Sequence, residues 1–409
     1  MKKALLLLTL LVVSFALFAS GATEDGGYKG VTNNAFSTSL PADSDSLSYK
    51  LHVRPASLTE NKLIVQFPSV AIEGNNIAET ISKESVAESV SNLMKFKFSK
   101  EDLVRLAVGI VENVGTGYNS VGATTIEAGA AIGNFAFGAD AVVQARTMPV
   151  FEPGTETPVG NDGPQGIAKT AVVPVVDIAA TVAYGMRVLD MDSFYLDAGA
   201  SVRFVKRTYL EQLSASKIID EGLDFDSKAA RSGIAVPFDL NAVLGVLDGD
   251  IKISVSANNL NGYFYMQKYA NYKDAFSGKN GNSKYTVYSP WSLNFAVELS
   301  HKWSFVEPKL TIGFDDILGY LDHISGDDIL MQKGKELFRY LTFRADVRLV
   351  KFVKLNVAFR HGYLEFGGAL DFYGNTLELS YGFHEAGYYY GLKPVDTLTL
   401  RLKLGFDKN

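Results

Sequence analysis

The stretch LTLRLKLGF, residues Leu398–Phe406, alternates strictly between large apolar side chains and polar or small ones. Leucine or phenylalanine occupies every even-numbered position, whereas Thr399, Arg401, Lys403 and a glycine occupy the odd-numbered ones. Successive side chains of a β-strand point to opposite faces of the sheet. The stretch therefore predicts a strand with one fully apolar face and one polar, charged face.

The same alternation recurs upstream, in residues 135–146, 176–185, 196–204, 251–258, 292–300 and 341–349. Several of these segments run to about 10 residues, the length that a tilted strand needs to cross a bilayer, whereas strands of globular proteins are usually about 5–6 residues long. Aromatic residues stand near their ends, as in the girdles of membrane barrels: Tyr263, Phe264, Tyr265, Trp291, Trp303 and Tyr388–Tyr390. The sequence predicts an all-β fold, a transmembrane antiparallel β-barrel of about 12–14 strands over residues 121–409.

The connections between these segments alternate in length. Short turns are predicted near 133–134, 190–192, 247–250, 304–307 and 350–353. Long polar loops are predicted at 149–169, 211–232, 268–289 and 321–334. Short turns on one side of the membrane and long loops on the other are typical of outer-membrane barrels.

The N-terminus predicts export. Lys2 and Lys3 precede the apolar run 4–18, and small residues follow it as far as Ala22. This is the layout of a signal peptide, residues 1–22, cleaved after Gly21 or Ala22. A membrane anchor is the alternative, but the run is shorter than the roughly 20 residues that a spanning helix needs. Since the chain has no cysteine, a lipid anchor at the cleavage site and disulfides are excluded. The predicted location is the outer membrane of a Gram-negative-type envelope.

The region between the signal peptide and the barrel has a different character. Residues 23–49 are rich in Gly, Ser, Asn and Asp without a hydrophobic period, so they are interpreted as a flexible leader. Residues 50–120 form an N-terminal segment, with a short strand candidate at 62–67 that ends at Pro68 and an amphipathic helix at 77–94. The apolar stripe of this helix needs a partner surface, either inside the barrel as a plug or against its periplasmic side as a cap. The plug is favoured because three glutamates of the helix, Glu79, Glu84 and Glu88, would offer opposite charge to the arginines predicted inside the barrel.

Charged residues at alternate strand positions are expected to line the lumen. They are Arg203, Lys252, Glu298, Arg344, Asp346, Arg348, Arg360, Glu378, Arg401 and Lys403. Such a lining could select solutes. The alternative is a set of paired charges that fills the interior of a narrow barrel, and the sequence leaves both open.

The sequence offers no convincing catalytic or metal site. None of the five histidines has a metal-binding spacing, and neither a Gly-x-Ser-x-Gly elbow nor a phosphate-binding Gly-Lys-Ser/Thr loop is found. The acidic loop residues Asp322, Asp327 and Asp328, with His323, do not match an EF-hand and are interpreted as a solvated loop. A net charge of −6 argues against a nucleic-acid partner. We therefore expect no enzyme activity, cofactor or metal.

Residues 360–406 resemble the C-terminal hairpins of a family of outer-membrane barrels. The motifs are His361-Gly362-Tyr363, the segment Phe366–Phe372, and the segment Leu379–Gly387 with its Glu-Ala-Gly. The family is annotated after the conjugal-transfer protein TraF and is related to the fatty-acid transporter FadL; the stretch Phe67-Pro68-Ser69-Val70 before a polar helix resembles its N-terminal part. The resemblance implies an outer-membrane location, contact with outer-membrane lipid and the barrel-assembly machinery, and passage or binding of a small solute, hydrophobic solutes included. The alternative is a structural or surface-interaction barrel without transport.

Overall fold

The computed structural model describes thirteen stretches and one single residue of the chain. They are residues 47–52, 54–60, 63–75, 119–150, 169–210, 213–214, 229–301, 303, 305–325, 333–349, 352–360, 362–372, 375–385 and 394–408. The predicted signal peptide, the predicted helix at 77–94, the loop residues Asp327 and Asp328, and Tyr388–Tyr390 lie outside the described residues.

The chain forms a closed antiparallel barrel of 14 strands, some of them interrupted. The strands are β1 Leu63–Asn75; β2 Asn119–Ile132; β3 Phe135–Val150; β4 Lys169–Met191; β5 Phe194–Leu210 with Leu213–Ser214; β6 Ala230–Ala235 and Phe238–Val246; β7 Ile251–Leu260 and Tyr263–Tyr269; β8 Asn282–Tyr288 and Ser292–Ser300; β9 Val306–Phe314; β10 Leu341–Leu349; β11 Val353–Arg360; β12 Tyr363–Phe372; β13 Asn375–Glu385; β14 Pro394–Lys403 and Gly405–Lys408. The predicted fold class is confirmed, and the strand count is at the upper end of the expected range.

The barrel closes where β14 pairs with β1, with Val70 opposite Leu402 and Leu63 opposite Lys408. Closure leaves no unpaired edge, which a sheet in hydrocarbon cannot tolerate. The barrel thus begins at Leu63, before the predicted start at 121. The strand candidate does not end at Pro68 either, since β1 continues to Asn75. The proline lies where the register with β2 shifts, between Gln66 and Ser69. Such a bulge accommodates a proline, which has no N–H to donate to the ladder.

Helices are short and few in the described part of the chain. The elements are α1 Leu47–His52, a 3-10 helix Pro55–Glu60, α2 Tyr272–Ser277, α3 Ile317–Ser325, α4 Lys333–Glu336 and a 3-10 helix Leu337–Arg339. Among the described residues, no helix has the length and apolar character needed to cross a bilayer. The predicted long loop at 268–289 is wrong in extent, because it contains the end of β7, helix α2 and the start of β8.

The two faces of the wall differ as the sequence pattern requires. On β14, Leu400 and Leu402 are 46% and 45% exposed, whereas the neighbouring Thr399 and Arg401 are buried. The exposed face is apolar over most of the barrel, and the buried face carries the polar and charged side chains. The register is strongly determined, because a shift by one residue would turn every charge of a strand outward.

Candidate functional site in the barrel lumen

A segment of the N-terminal region lies inside the barrel. This inner segment (residues 47–52 and 54–60) consists of α1 and the following 3-10 helix. Its apolar side chains Leu47, Leu51, Ala56 and Leu58 are almost completely buried. The leucines pack against small side chains of the wall, including Ala131, Ala136 and Ala183. Burial of each leucine contributes about 1.5–3 kcal/mol relative to leaving it in water.

Glycines make room for the inner segment on the wall formed by β2 to β5. A Cβ added at Gly199 would lie 2.2 Å from the backbone nitrogen of Ala56, and one at Gly185 would lie 2.5 Å from the carbonyl oxygen of Pro55. A Cβ at Gly138 would meet Leu51 at 2.6 Å. The inner segment therefore approaches the strands more closely than a wall with side chains at these positions would allow.

Polar contacts hold the second half of the inner segment. The guanidinium of Arg54 donates to Glu298 Oε2 at 3.2 Å and to Ser254 Oγ at 2.9 Å, on β8 and β7. Thr59 Oγ1 donates to Asp197 Oδ2 on β5 at 2.8 Å. The ammonium of Lys309 lies 3.1 Å from the same oxygen of Glu298. These contacts tie the second half of the inner segment to the part of the wall from β5 to β8.

The structure places the charges that the sequence assigned to the lumen on the buried side of their strands. The residues are Arg203, Lys252, Glu298, Arg344, Asp346, Arg348, Arg360, Glu378, Arg401 and Lys403. Register brings many of them together. Lys252 is directly opposite Glu298, which is opposite Thr311, which is opposite Arg344. On the other side of the barrel, Glu378 is opposite Arg401.

Several of these charges are paired with each other or with residues that the sequence did not single out. Arg344 is bonded to Asp346 on its own strand. Arg348 contacts Glu307 at 3.2 Å, and Arg203 contacts Asp239 at 3.0 Å. Leaving one member of a buried pair alone costs much more than the pair contributes. These charges are thus compensated within the wall. The partners Asp239 of Arg203 and Arg54 of Glu298 carry no sequence signal, because they lie far from them along the chain.

An apolar cluster occupies the inner side of β4 to β8. It consists of Val175, Ala179, Val205, Tyr209, Ala235, Phe264 and Met266, with Tyr285 and Val287 packed against it. The aromatic-girdle prediction is wrong for Phe264, which is 4% exposed and points inward, while Tyr263 and Tyr265 on either side are exposed. The guanidinium of Arg207 lies 4.6 Å from the centre of the Phe264 ring and is bonded to Asp177. The cluster therefore combines an apolar surface with a compensated charge.

The loop between β9 and β10 carries an ion cluster of its own. His323 Nε2 and Arg339 lie 3.1 and 3.6 Å from Glu336 Oε2, which is buried. Burial raises the pKa of the Asp316 carboxyl above its usual range. The hydrogen bond that this carboxyl accepts from the backbone N–H of Gly319 acts in the opposite direction and is the weaker effect. No cluster of three or more His, Cys, Asp or Glu side chains suited to a metal ion occurs in the part of the chain that the structure describes.

Neither a protein-family model nor a curated protein matches the chain. Solved structures similar to it include the toluene transporter TodX of Pseudomonas putida, with 10% identity and a TM-score of 0.41 over 88% of this chain and 94% of that one. A FadL homologue of Pseudomonas aeruginosa has 10% identity and a TM-score of 0.36 over 86% and 92%. The translocator domain of the autotransporter NalP from Neisseria meningitidis has 11% identity and a TM-score of 0.35 over 87% and 94%.

Proposed function

We propose that this chain is a non-enzymatic barrel of the outer membrane that passes a small hydrophobic solute, with the inner segment as its gate. The closed sheet and its exposed apolar face support the location, since only helices and closed barrels satisfy their backbone groups in hydrocarbon. The resemblance of residues 360–406 to the TraF-annotated, FadL-related group agrees with this proposal and is part of it.

The inner segment is the observation that carries the proposal. It lies on the buried side of the wall, where Arg54 and Thr59 are hydrogen-bonded to residues of β5, β7 and β8. The wall beneath the segment is smooth where Gly138, Gly185 and Gly199 face it. Because the segment is helical and is not part of the sheet, it can be displaced without breaking the barrel ladder.

The apolar cluster around Phe264 and Met266 supports a hydrophobic solute. Apolar pockets with a few polar groups are the usual sites of small organic molecules. The charges near this cluster are compensated, since Arg207 and Asp177 are bonded at 2.7 Å. A neutral apolar solute therefore meets no unpaired charge of this pair as it passes.

A reversible cross-link tests the gate. The chain has no cysteine, so Thr59→Cys with Asp197→Cys introduces two thiols where the two side chains now share a hydrogen bond of 2.8 Å. In planar bilayers the oxidised double variant should show fewer openings than the same protein after dithiothreitol. The two single variants are the matched controls and should not respond to the reductant. Equal opening frequencies before and after reduction would show that the inner segment does not gate the lumen.

Uptake by proteoliposomes tests the solute class. Toluene is expected to enter faster than a polar solute of similar size, and Met266→Gln should lower toluene entry because it puts an amide into the apolar cluster. Met186→Gln is the control, since Met186 is exposed on the outer face. If neither solute enters, even with residues 47–60 deleted from a folded barrel, the chain is a structural or surface-interaction barrel instead.

A further inference from the structure

A lysine interrupts the apolar outer face of the barrel near the long-loop ends of its strands. Lys206 of β5 is directly opposite Ile178 on β4 and Ile234 on β6, which are both exposed on the outer face. Phe204, two positions earlier on the same face of β5, is exposed as well. Strand β5 runs from a short turn to a long loop, and the long loops of outer-membrane barrels are extracellular. Lys206 therefore lies on the lipid-facing surface, in its extracellular half.

The apolar band of the outer wall ends at the row of this lysine. Ile234 and Tyr265 follow it in the same cross-strand row and are 60% and 65% exposed. One step closer to the loops, the same face carries Thr208 and Ser232, which are buried and hydrogen-bonded to each other at 2.9 Å. A band of apolar and aromatic residues that gives way to polar ones marks the edge of the hydrocarbon region. A lysine at that edge can extend its ammonium toward the headgroups.

Helix α2 covers the wall on the loop side of Lys206. It contacts β5, β6 and β7, and its Ala275 packs against Ala230 and Tyr269 of the strands. The end of the helix reaches the lysine, since the ammonium of Lys206 donates to the carbonyl oxygen of Phe276. The centre of the Phe276 ring lies 5.2 Å from the same nitrogen. The ammonium is thus held at the edge of the apolar band, with one of its three N–H donors on this carbonyl.

Three more lysines carry positive charge around α2. Lys273 belongs to the helix, Lys279 follows its C-cap, and Lys284 lies on β8, where the next residue of the chain packs against the apolar cluster of the lumen. All three are exposed. The only acidic residue between positions 269 and 288 is Asp274, whose carboxylate accepts hydrogen bonds from two asparagines. Within the part of the chain that the structure describes, none of these lysines, Lys206 included, forms an ion pair. The four lysines are the basic patch.

We propose that the basic patch binds the phosphate group of a lipid in the outer leaflet, with the acyl chains of this lipid along Ile234 and Tyr265. Ammonium groups hold phosphates by charge-assisted hydrogen bonds, and lysines near a membrane surface attract anionic headgroups. A free phosphate has the same charge, but the patch borders exposed apolar wall, which only a lipid covers. The inference rests on the outer-membrane location proposed above and is independent of transport.

Native mass spectrometry of the full-length barrel in a neutral detergent tests the patch, with bisphosphorylated lipid A as the probe. We expect saturable binding that weakens when the phosphates are removed from the probe and when the salt concentration rises. Lys206→Met and Lys279→Gln should each lower the affinity about fivefold, which is the effect of one lysine near a charged membrane surface. Lys335→Met is the matched control, because Lys335 is an exposed lysine of another loop, between β9 and β10.

Four results would overturn the proposal in barrels that keep their heat-modifiable mobility on gels. Equal binding of lipid A and its dephosphorylated form would make the contact purely apolar. Equal losses in Lys206→Met and Lys335→Met would assign the attraction to net charge. Displacement of lipid A by an equal concentration of inorganic phosphate would make free phosphate the ligand. Lys206→Arg keeps the charge and should bind like the wild type, whereas a loss as large as in Lys206→Met would assign the effect to packing against Phe276. The conductance and uptake assays of the proposed function do not depend on any of these outcomes.

Discussion

Replacing Gly199 with alanine should displace the inner segment without altering the barrel. The new Cβ would lie 2.2 Å from the nitrogen of Ala56 and 2.5 Å from the carbonyl carbon of Pro55. Since non-bonded carbon atoms settle at about 3.5–4.0 Å, the inner segment has to move by roughly 1.3 Å or more. That movement would stretch the bond of Thr59 to Asp197, now 2.8 Å, beyond hydrogen-bond range.

The energetic consequence follows from the same geometry. Overpacking of this kind costs about 1–3 kcal/mol, and the backbone of the inner segment gives way before a strand that is bonded on both sides. The assay is single-channel conductance in planar bilayers together with unfolding in denaturant. Gly199→Ala should conduct more than the wild type and unfold at a lower denaturant concentration.

The barrel offers a matched control for this change. Gly313 is also a buried strand glycine of the inner wall, but a Cβ there would have its nearest neighbour at 3.6 Å, an ordinary contact. Gly313→Ala should therefore leave conductance and stability unchanged. If Gly199→Ala behaves like Gly313→Ala in both assays, the inner segment does not lie against β5 in the membrane, and the reasoning fails.

Three further predictions concern the exposed face of the barrel, the ion pair between Arg54 and Glu298, and the loop between β9 and β10. Leu400→Arg should cost about 2–4 kcal/mol of barrel stability if the residue lies near the bilayer midplane, measured by denaturant unfolding in lipid, whereas Leu400→Phe should be tolerated. Glu298→Gln should destabilise by about 3–5 kcal/mol because it removes a buried partner; Arg54→Gln in the same chain should recover part of the loss, and strictly additive effects would contradict the ion pair. Burial raises the pKa of Asp316, so the protonated carboxyl stabilises the folded loop at low pH. This contribution is lost as the pH rises through the pKa of the folded state. Protease resistance of the loop at pH 8 should then be greater in Asp316→Asn, which keeps the acceptor for Gly319, and an unchanged cleavage rate would contradict this.

The strands of the barrel could be predicted because their requirement is local. Leu400 is exposed on the outer face and Thr399 is buried on the inner one, and the same alternation recurs along the strands. Alternation also holds at Phe264, which packs inward between two exposed tyrosines, but there the inward residue is itself a large aromatic. Alternation indicates that neighbours face opposite ways, but the identity of a residue does not show which of them faces the lumen.

The inner segment could not be predicted for a different physical reason. Helix α1 is only six residues long, too short for a periodic apolar stripe to stand out. Arg54 and its partner Glu298 are 244 positions apart, so no local pattern connects them. The strand β1 was missed in its second half because Pro68 is normally a sign that a strand ends, and only pairing with β2 shows the bulge. These features depend on contacts between residues that are far apart in the sequence.

The distribution of contacts around the inner segment indicates what could move it. Glu298 is shared between Arg54 and Lys309, so departure of the segment leaves this buried carboxylate with a cation at 3.1 Å. Glu298 therefore does not become an uncompensated buried charge. On leaving, the segment also loses the burial of Leu47, Leu51 and Leu58, each worth about 1.5–3 kcal/mol. In the gating that we propose, a solute that displaces the segment has to replace this apolar contact, which is the chemistry that the cluster around Phe264 offers to a hydrophobic molecule.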